Sequence, residues 1–162
     1  MSKEDMVTET ELITKFRAAV KDRATWFALL YREFAEVLPE NRVEDACRKA
    51  IYSYGRLKAS RDKTKLTAQS LLDNFVETGG AKIFEAEIEN TDKGVLNKVH
   101  NCALVDAWRE MGCSPEEVDL FCDIAMEGDR GRAEGHGINL ELKETLAKND
   151  NFCWICLSDS AI

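Results

Sequence analysis

The sequence predicts an α+β fold in which N-terminal helices are followed by a ββααββ unit, whose four strands form one antiparallel sheet covered by helices. Apolar residues recur at helical spacing through the first 80 residues, and alternating patterns typical of half-buried strands begin only after them. The strand patterns come in two pairs, and two hairpins separated by two helices can join in one sheet. We interpret the chain as one compact domain, with a helical region over 1–80 and a cysteine-containing ββααββ region over 81–162.

The first half of the chain carries three helical patterns. The first helix is predicted over 8–38 and ends before Pro39, while the second begins at Asn41 and runs to about residue 60. The third pattern covers residues 66–77. Cys47 lies on the apolar stripe of the second pattern, and we expect it to be a core residue.

Hairpin and helical patterns alternate in the second half. Asn101 is the predicted cap of one helix, and Ser114-Pro115-Glu116-Glu117 is a strong start signal for the next. The glycine-rich stretch EGDRGRAEGHG, residues 127–137, is interpreted as a loop. The predicted strands cover residues 82–90, 95–100, 138–143 and 152–157.

Composition narrows the classes of function. Of the 162 residues, 44% are hydrophobic and the net charge is −8 without any Lys/Arg-rich tract, so nucleic acid is excluded as a partner. The charged N-terminus is not a signal peptide, and no run of eighteen apolar residues predicts a membrane span. We therefore expect a cytoplasmic protein without a membrane partner, in which the six cysteines are reduced.

Cys102 and His100 are the first candidate reactive residues. Cys102 is expected in the first turn of a helix, where unpaired N–H groups and the helix dipole favour a thiolate. His100 lies two residues upstream and points to the same side if the strand stays extended. The pair would serve as nucleophile and proton carrier, or as two metal ligands. The alternative is that Cys102 is a small residue where a helix and a strand pack closely.

Cys122 and Cys153 are the other cysteines of the candidate site. If the helix of Cys122 lies over the sheet, Cys122 meets Cys102 and Cys153 at one place, and with a histidine they match the ligand set of a zinc or iron ion. Asp123 is a further candidate for proton transfer. The alternative for Cys122 is a buried structural cysteine, which is the commoner outcome on an apolar helix face.

Arg56 is the candidate substrate-binding arginine, because a guanidinium group can clamp a carboxylate through two hydrogen bonds. A salt bridge to the acidic surface is the alternative. His136, between two glycines, is interpreted as a solvated loop histidine. The charged cluster Glu127, Asp129 and Arg130 is interpreted as a solvated helix end.

Three stretches of the sequence resemble the L-2-amino-thiazoline-4-carboxylic acid hydrolase-like family. They are AIYSYGRLKASR, HNCALVDAWREMGCSPEEVDLFCDIAMEGDRG and INLELKETLAKNDNFCWICL. The family pattern is a Cys that opens a helix, a helix that contains Cys-Asp, and a closing strand preceded by T-L-A-x-x-D/N-x-x-C. The matching positions are Cys102, Cys122, Asp123, Thr145, Leu146, Asp150 and Cys153. Members of the family often carry Gly where Asn149 stands and Pro where Ala103 stands.

The resemblance implies hydrolysis of a cyclic C–N bond in a small substrate such as a thiazoline, a cyclic amidine or a cyclic amide. Cys102 would attack the ring carbon while His100 or Asp123 relays protons, with Arg56, Cys122 and Cys153 binding the substrate. Alternatively, Cys102, Cys122 and Cys153 would hold a metal ion that activates water. The closing motif is also similar to vinyl-reductase-type small-molecule-binding domains, which implies a non-catalytic ligand or metal sensor as the competing function. In either case the apolar stripe of the first helix would suit a homo-oligomer.

Overall fold

A computed structural model of the protein describes residues 7–160, and the first six residues of the charged N-terminus lie outside this range. Four strands form one antiparallel sheet in the order β1-β2-β4-β3, which confirms the predicted α+β class and the ββααββ order. The strands are β1 (Ala86–Thr91), β2 (Gly94–Val99), β3 (Ile138–Leu142) and β4 (Cys153–Asp159).

Six helices accompany the sheet within the described residues. They are α1 (Glu9–Val37), α2 (Glu40–Arg61), α3 (Ala68–Glu77), α4 (Gly80–Ile83), α5 (Ala103–Glu110) and α6 (Pro115–His136), and a 3₁₀ turn covers Leu146–Lys148. Thr8 begins α1 and Ser114 begins α6 with capping boxes, in which the side chain at the third helical position bonds back to the cap. None of these helices is both long enough and apolar enough to cross a membrane.

The glycine-rich stretch 127–137 is helical, so its interpretation as a loop was wrong. It forms the second half of α6, which packs along α2. A Cβ at Gly131 would overlap the carbonyl oxygen of Tyr52, and one at Gly55 would overlap that of Gly128. These glycines therefore allow two helix backbones to approach closely, and the contact between the helices offsets the low helix propensity of glycine.

Two smaller boundaries also differ from the prediction. The stretch 82–90 begins as the short helix α4, and the strand starts only at Ala86 after Glu85, whose φ is +49°. At the start of α5 the cap is Cys102, one residue later than the predicted Asn101. The alternating pattern therefore located the strand, but the local backbone turn shortened it.

The apolar core consists of two clusters. The first lies between α1, α2, α5 and α6 and contains the fully buried Trp108 and Phe121, whose rings meet edge to face. The second lies between α3, the end of α6 and one face of the sheet, and contains Leu72, Val95 and Leu157. Helix α6 is the element that contributes to both clusters.

Candidate functional site

Three cysteines from different elements lie near one another: Cys102 caps α5, Cys122 lies on α6 and Cys153 begins β4. They are close enough for the charge on one thiol to affect the pKa of another. Charge on Cys102 or Cys153 raises the pKa of the Cys122 thiol, and charge on Cys102 raises that of Cys153. All three cysteines are free, and Cys122 and Cys153 are buried. The fold therefore brings together three cysteines that span 51 positions of the sequence, from Cys102 to Cys153.

Cys102 is half-buried at the N-cap of α5. Burial raises the pKa of its thiol, and the nearby amides of Val105 and Leu104 lower it in part. The effect of burial outweighs that of the amides, and the pKa of the thiol is raised. The Cys102 thiol is therefore protonated at neutral pH in the free protein. The helix terminus alone does not activate Cys102.

Cys122 lines an open cleft of about 470 Å³ between α2, α6 and the segment that follows β3. Burial is the main cause of the raised pKa of its thiol. The other residues that line the cleft are Arg48, Glu116, Asp119, Leu120, Asp123, Arg130, Leu142, Lys143, Thr145 and Lys148. Four of them are basic, so the cleft offers cationic partners for an anionic ligand.

Asp123 is held between two arginines at the wall of this cleft. Arg130 Nη2 lies 2.6 Å from Asp123 Oδ1, and Arg48 Nη1 lies 2.7 Å from Asp123 Oδ2. Burial raises the pKa of the Asp123 carboxyl, but the hydrogen bonds from Arg130 and Arg48 outweigh it, so that the pKa is lowered. Glu127 also accepts from both arginines, at 2.8 Å and 3.3 Å. Asp123 is therefore ionised and positions Arg48 and Arg130.

Cys153 begins β4 beside the 3₁₀ turn. Its sulfur accepts a hydrogen bond from the Leu146 amide at 3.3 Å, and burial raises the pKa of the thiol to about 11. Asp150 shapes the same segment by accepting from the amide of Thr145 at 2.8 Å. Asn149 has a φ of +64°, a conformation that glycine adopts easily and asparagine tolerates. Glycine, which the family resemblance leads us to expect at this position, would adopt the same conformation without strain.

His100 is not among the residues that line the cleft and has partners of its own. Its Nε2 is 3.6 Å from Glu87 Oε1, and its ring packs against Phe152 with centroids 5.7 Å apart. Within the described part of the chain no hydrogen bond joins His100 to Cys102. A Cys102–His100 dyad therefore stays a prediction without geometric support.

Arg56 does not line the cleft, whereas Arg48 and Arg130 do. Arg56 lies where α2 packs on α6, with Nη1 3.7 Å from the position that a Cβ on Gly135 would take. The sequence contained a signal for the missed arginines: Arg48 follows Glu44 by one helical turn, and Arg130 follows Asp123 by two. The contact between α2 and α6 that unites them is not visible in the sequence.

His136 is 4% exposed and ends α6, so its interpretation as a solvated loop histidine was wrong. The Leu66 amide donates to its Nδ1 at 3.1 Å, and its Nε2 lies 2.9 Å from Asp62 Oδ2. Because Nδ1 accepts a hydrogen bond, the neutral ring carries its proton on Nε2, and this N–H donates a hydrogen bond to Asp62. His136 ties the loop between α2 and α3 to the end of α6.

The cysteine cluster does not have the arrangement of a metal centre. In residues 7–160 no three His, Cys, Asp or Glu side chains are arranged to hold a metal ion. A zinc or iron ion on Cys102, Cys122 and Cys153 therefore stays a prediction that this geometry does not favour.

Comparison with known proteins identifies a family. The family model for L-2-amino-thiazoline-4-carboxylic acid hydrolase matches residues 17–157, nearly the whole chain. Neither a curated protein nor a solved structure shows a significant match to the sequence or the fold. The matched range includes the cleft, its two arginines and the three neighbouring cysteines. The chain belongs to the L-2-amino-thiazoline-4-carboxylic acid hydrolase family.

Proposed function

We propose that the protein is a hydrolase that opens a cyclic C–N bond in a small substrate bearing a carboxylate, as an amino-thiazoline carboxylic acid does. The observation that carries the proposal is the cleft in which Cys122 lies beside Arg48 and Arg130. The family name supplies the substrate class, since its substrate combines a carboxylate with a ring carbon bonded to nitrogen and sulfur.

The two arginines would bind the carboxylate, because a guanidinium group matches a carboxylate with two parallel hydrogen bonds. Asp123 and Glu127 already orient both side chains from α6. Substrate binding would then need little reorganisation, which is the main benefit of a preformed site. Thr145, 6% exposed at the same cleft, would add a hydroxyl group to the binding surface.

Cys102 remains the proposed nucleophile, beside Cys122, which lines the cleft, and near Cys153. Its sulfur would add to the ring carbon, and the thiol proton would pass to the ring nitrogen. Cleavage of the ring C–N bond then releases an amine and leaves the carbon bonded to Cys102. Water adds to that carbon and displaces the sulfur, so that one water is consumed and the thiol is restored.

The raised thiol pKa values set a condition on this mechanism. A protonated Cys102 must lose its proton as it attacks, and the ring nitrogen, the most basic atom of an amidine-type substrate, is the acceptor that lies next to the reacting carbon. His100 and Asp123 are the other proposed proton carriers. Asp123 is committed to two arginines, which supports a positioning role for it instead.

A non-catalytic ligand-binding domain is the second candidate. Burial raises the pKa of all three clustered thiols, and such thiols are poor nucleophiles in the free protein. In that case the cleft would bind the same carboxylate ligand without turning it over.

The test is a turnover assay with 2-aminothiazoline-4-carboxylate, in which release of the ring-opened product is followed by mass spectrometry. We expect turnover by the wild type and loss of at least about a hundredfold in Cys102→Ser. Cys113→Ser is the matched control, because Cys113 is a half-buried cysteine that contacts Arg32 away from the cleft. Ligand binding without turnover would favour the second candidate. Full activity in Cys102→Ser would remove Cys102 from the mechanism.

A further inference from the structure

Helix α1 has a buried side and an exposed apolar side. Ala24, Ala28 and Tyr31 face the core and are buried. Residues 7–160 contain twelve large apolar side chains that are exposed, and seven of them lie on this helix, at 39–75% exposure. Single exposed apolar residues are common on protein surfaces, whereas a contiguous group of them marks an interaction site. The exposed side of α1 is therefore a candidate interface.

The exposed side follows the spacing of a helix that pairs with another helix. A stripe of positions, which we call the outer stripe, begins at Leu12 and ends at Val37 in alternating steps of four and three residues, and every position on it is exposed. The mean step of about 3.5 residues keeps two such stripes in contact when the helices coil around each other with a left-handed twist. The outer stripe is about 38 Å long. It has the length and the repeat of a two-helix interface.

The exposed apolar area suits a stable dimer. A fully covered aromatic side chain buries about 150–250 Å², so the seven side chains, near half exposure, offer roughly 100 Å² each. Together they supply about 700 Å², to which the aliphatic stems of the flanking charged residues add. A standard interface buries about 800 Å² on each partner. One copy of α1 therefore offers enough surface for a specific interface.

The charges along the exposed side of α1 complement one another when the helix is read in reverse. Lys15 and Arg23 lie in the first part of the helix, and Glu33 and Glu36 lie in the last part. None of these four forms an ion pair within residues 7–160, whereas three basic residues on the inner side of α1 do. Parallel pairing of two copies would set Arg23 against Arg23 and Glu33 against Glu33, and like charges in contact are destabilising. The charges therefore favour antiparallel pairing.

We propose that the outer stripe is the interface of a homodimer, in which two α1 helices pair antiparallel about a twofold axis midway between Leu12 and Val37. Leu12 of each copy then lies beside Val37 of the other, and the twofold axis repeats every contact. The homo-oligomer expected from the sequence thereby gains a defined interface and orientation.

The antiparallel register also pairs the polar residues of the stripe. Lys15 of one copy lies across from Glu36 of the other at both ends of the interface. Near the axis, Arg23 of one copy lies beside Trp26 of the other, where a guanidinium group can stack on the indole ring. Trp26 is 67% exposed in the single chain, so this contact would cover a large ring that is otherwise in water.

A second copy fits the outer stripe better than a membrane surface does. A helix that lies on a membrane has an uncharged apolar face and basic residues that attract anionic lipids. The outer stripe contains both Arg23 and Glu33, and the net charge of the chain is −8. The dimer is independent of the proposed function, because no residue of α1 lines the cleft and pairing leaves both clefts open.

Sedimentation equilibrium of the full chain at about 1 to about 100 µM tests the proposal. We expect a mass that approaches twice that of one chain as the concentration rises. Leu30→Glu should raise the dissociation constant about a hundredfold or more, because it places a charge in the outer stripe of both copies. Leu57→Glu is the matched control, since it makes the same change at a leucine of α2 that is 44% exposed, against 39% for Leu30. Circular dichroism serves to confirm that both variants stay folded.

Charge reversal tests the orientation of the helices. Lys15→Glu and Glu36→Lys should each raise the dissociation constant about fivefold. The double variant should regain the wild-type affinity, because the pair re-forms across the antiparallel interface with its charges exchanged. In a parallel dimer the two positions would lie about 30 Å apart, and the double variant would regain nothing.

A monomer at every concentration, or a wild-type dissociation constant in Leu30→Glu, would overturn the proposal. A double variant that stays as weak as the single variants would overturn the antiparallel orientation. A monomer that co-sediments with phosphatidylcholine vesicles would assign the outer stripe to a membrane surface instead. Because no turnover is measured, failure here and failure of the proposed hydrolysis are separate outcomes.

Discussion

Arg48 Nη1 donates a hydrogen bond of 2.7 Å to Asp123 Oδ2 and so joins α2 to α6 at the wall of the cleft. The same guanidinium also contacts Glu44 and Glu127, which leaves it fixed before any ligand arrives. Asp123 is 41% exposed at its side chain, and the bond is a surface ion pair that contributes little to stability by itself. Its effect lies in orienting the arginine toward the cleft.

The first prediction concerns Arg48→Met. Loss of the guanidinium removes a charged partner of the substrate carboxylate, so the KM for 2-aminothiazoline-4-carboxylate should rise about tenfold or more, with a smaller change in kcat. Steady-state kinetics measure both constants. Arg61→Met is the control, because Arg61 is exposed at the end of the same helix and does not line the cleft. An unchanged KM in Arg48→Met would show that the carboxylate binds elsewhere.

The second prediction compares two glycines of α6. Gly131→Ala should lower the free energy of unfolding by about 1–3 kcal/mol, because its Cβ would overlap the Tyr52 carbonyl oxygen on α2. Gly128→Ala should be neutral or stabilising, because its Cβ would lie 3.5 Å from Ile51 Cγ2, an ordinary contact, and alanine is the better helix former. Urea unfolding of both variants measures the difference. Equal effects would mean that α2 and α6 can separate without cost.

These glycines mark where sequence reasoning fails and why. A local pattern such as Phe84, Ala86 and Ile88 predicts a strand because period-two alternation is a property of the segment itself. Glycines, by contrast, serve a loop and a close helix contact equally well, and the choice depends on what lies opposite. Here Tyr52 and Gly55 lie opposite, more than 70 residues away in the sequence. His136 was misinterpreted for the same reason, because its partners Asp62 and Leu66 are distant.

The candidate site divides in the same way. Cys102, Cys122 and Cys153 could be grouped in advance only on the condition that the helix of Cys122 lies over the sheet, and the charge on each of Cys102 and Cys153 does influence Cys122 in the structure. The cleft arginines could not be identified, since their role depends on how α2 is placed against α6. Long-range contacts of this kind are set by the packing of whole faces rather than by any local motif.

The third prediction concerns His136. His136→Ala should lower the free energy of unfolding by about 2–4 kcal/mol, since it leaves the Leu66 amide without a partner, removes one of the partners of the Asp62 carboxylate and opens a cavity in a buried position. Urea unfolding at pH 7 measures this loss. His100→Ala is the control, because His100 is exposed and its side chain makes a long contact with Glu87 and packs against Phe152 at the surface. Equal losses in the two variants would contradict the role given to His136.

The fourth prediction concerns acid unfolding. Burial raises the pKa of Asp62, but hydrogen bonds from Arg132 and His136 outweigh it and hold the pKa below the ordinary value of 3.8. The unfolded chain therefore binds this proton at a higher pH than the folded one. The stability due to Asp62 is fully present above the unfolded pKa and is lost as the pH falls through the folded pKa.

Asp62→Asn should thus flatten the fall in stability between about pH 5 and about pH 2, measured by urea unfolding at each pH. Asp73→Asn serves as the control, because Asp73 is an exposed carboxylate that accepts a hydrogen bond from Gln69 and no other side chain of residues 7–160. A wild-type slope retained in Asp62→Asn would indicate that other carboxylates govern acid unfolding.

The fifth prediction concerns Cys153. Burial raises the pKa of its thiol to about 11, so thiolate is scarce at neutral pH and alkylation should be slow. The rate of iodoacetamide modification at Cys153, followed by peptide mass spectrometry, should keep rising through pH 9 and level off only near pH 11. Hydrogen-exchange protection at each pH serves to confirm that the fold is retained. A rate that already levels off below pH 9 would contradict this prediction. It would mean that the Leu146 amide or a positive group stabilises the thiolate more than burial destabilises it. Cys153 would then be a second candidate for the nucleophile, beside Cys102.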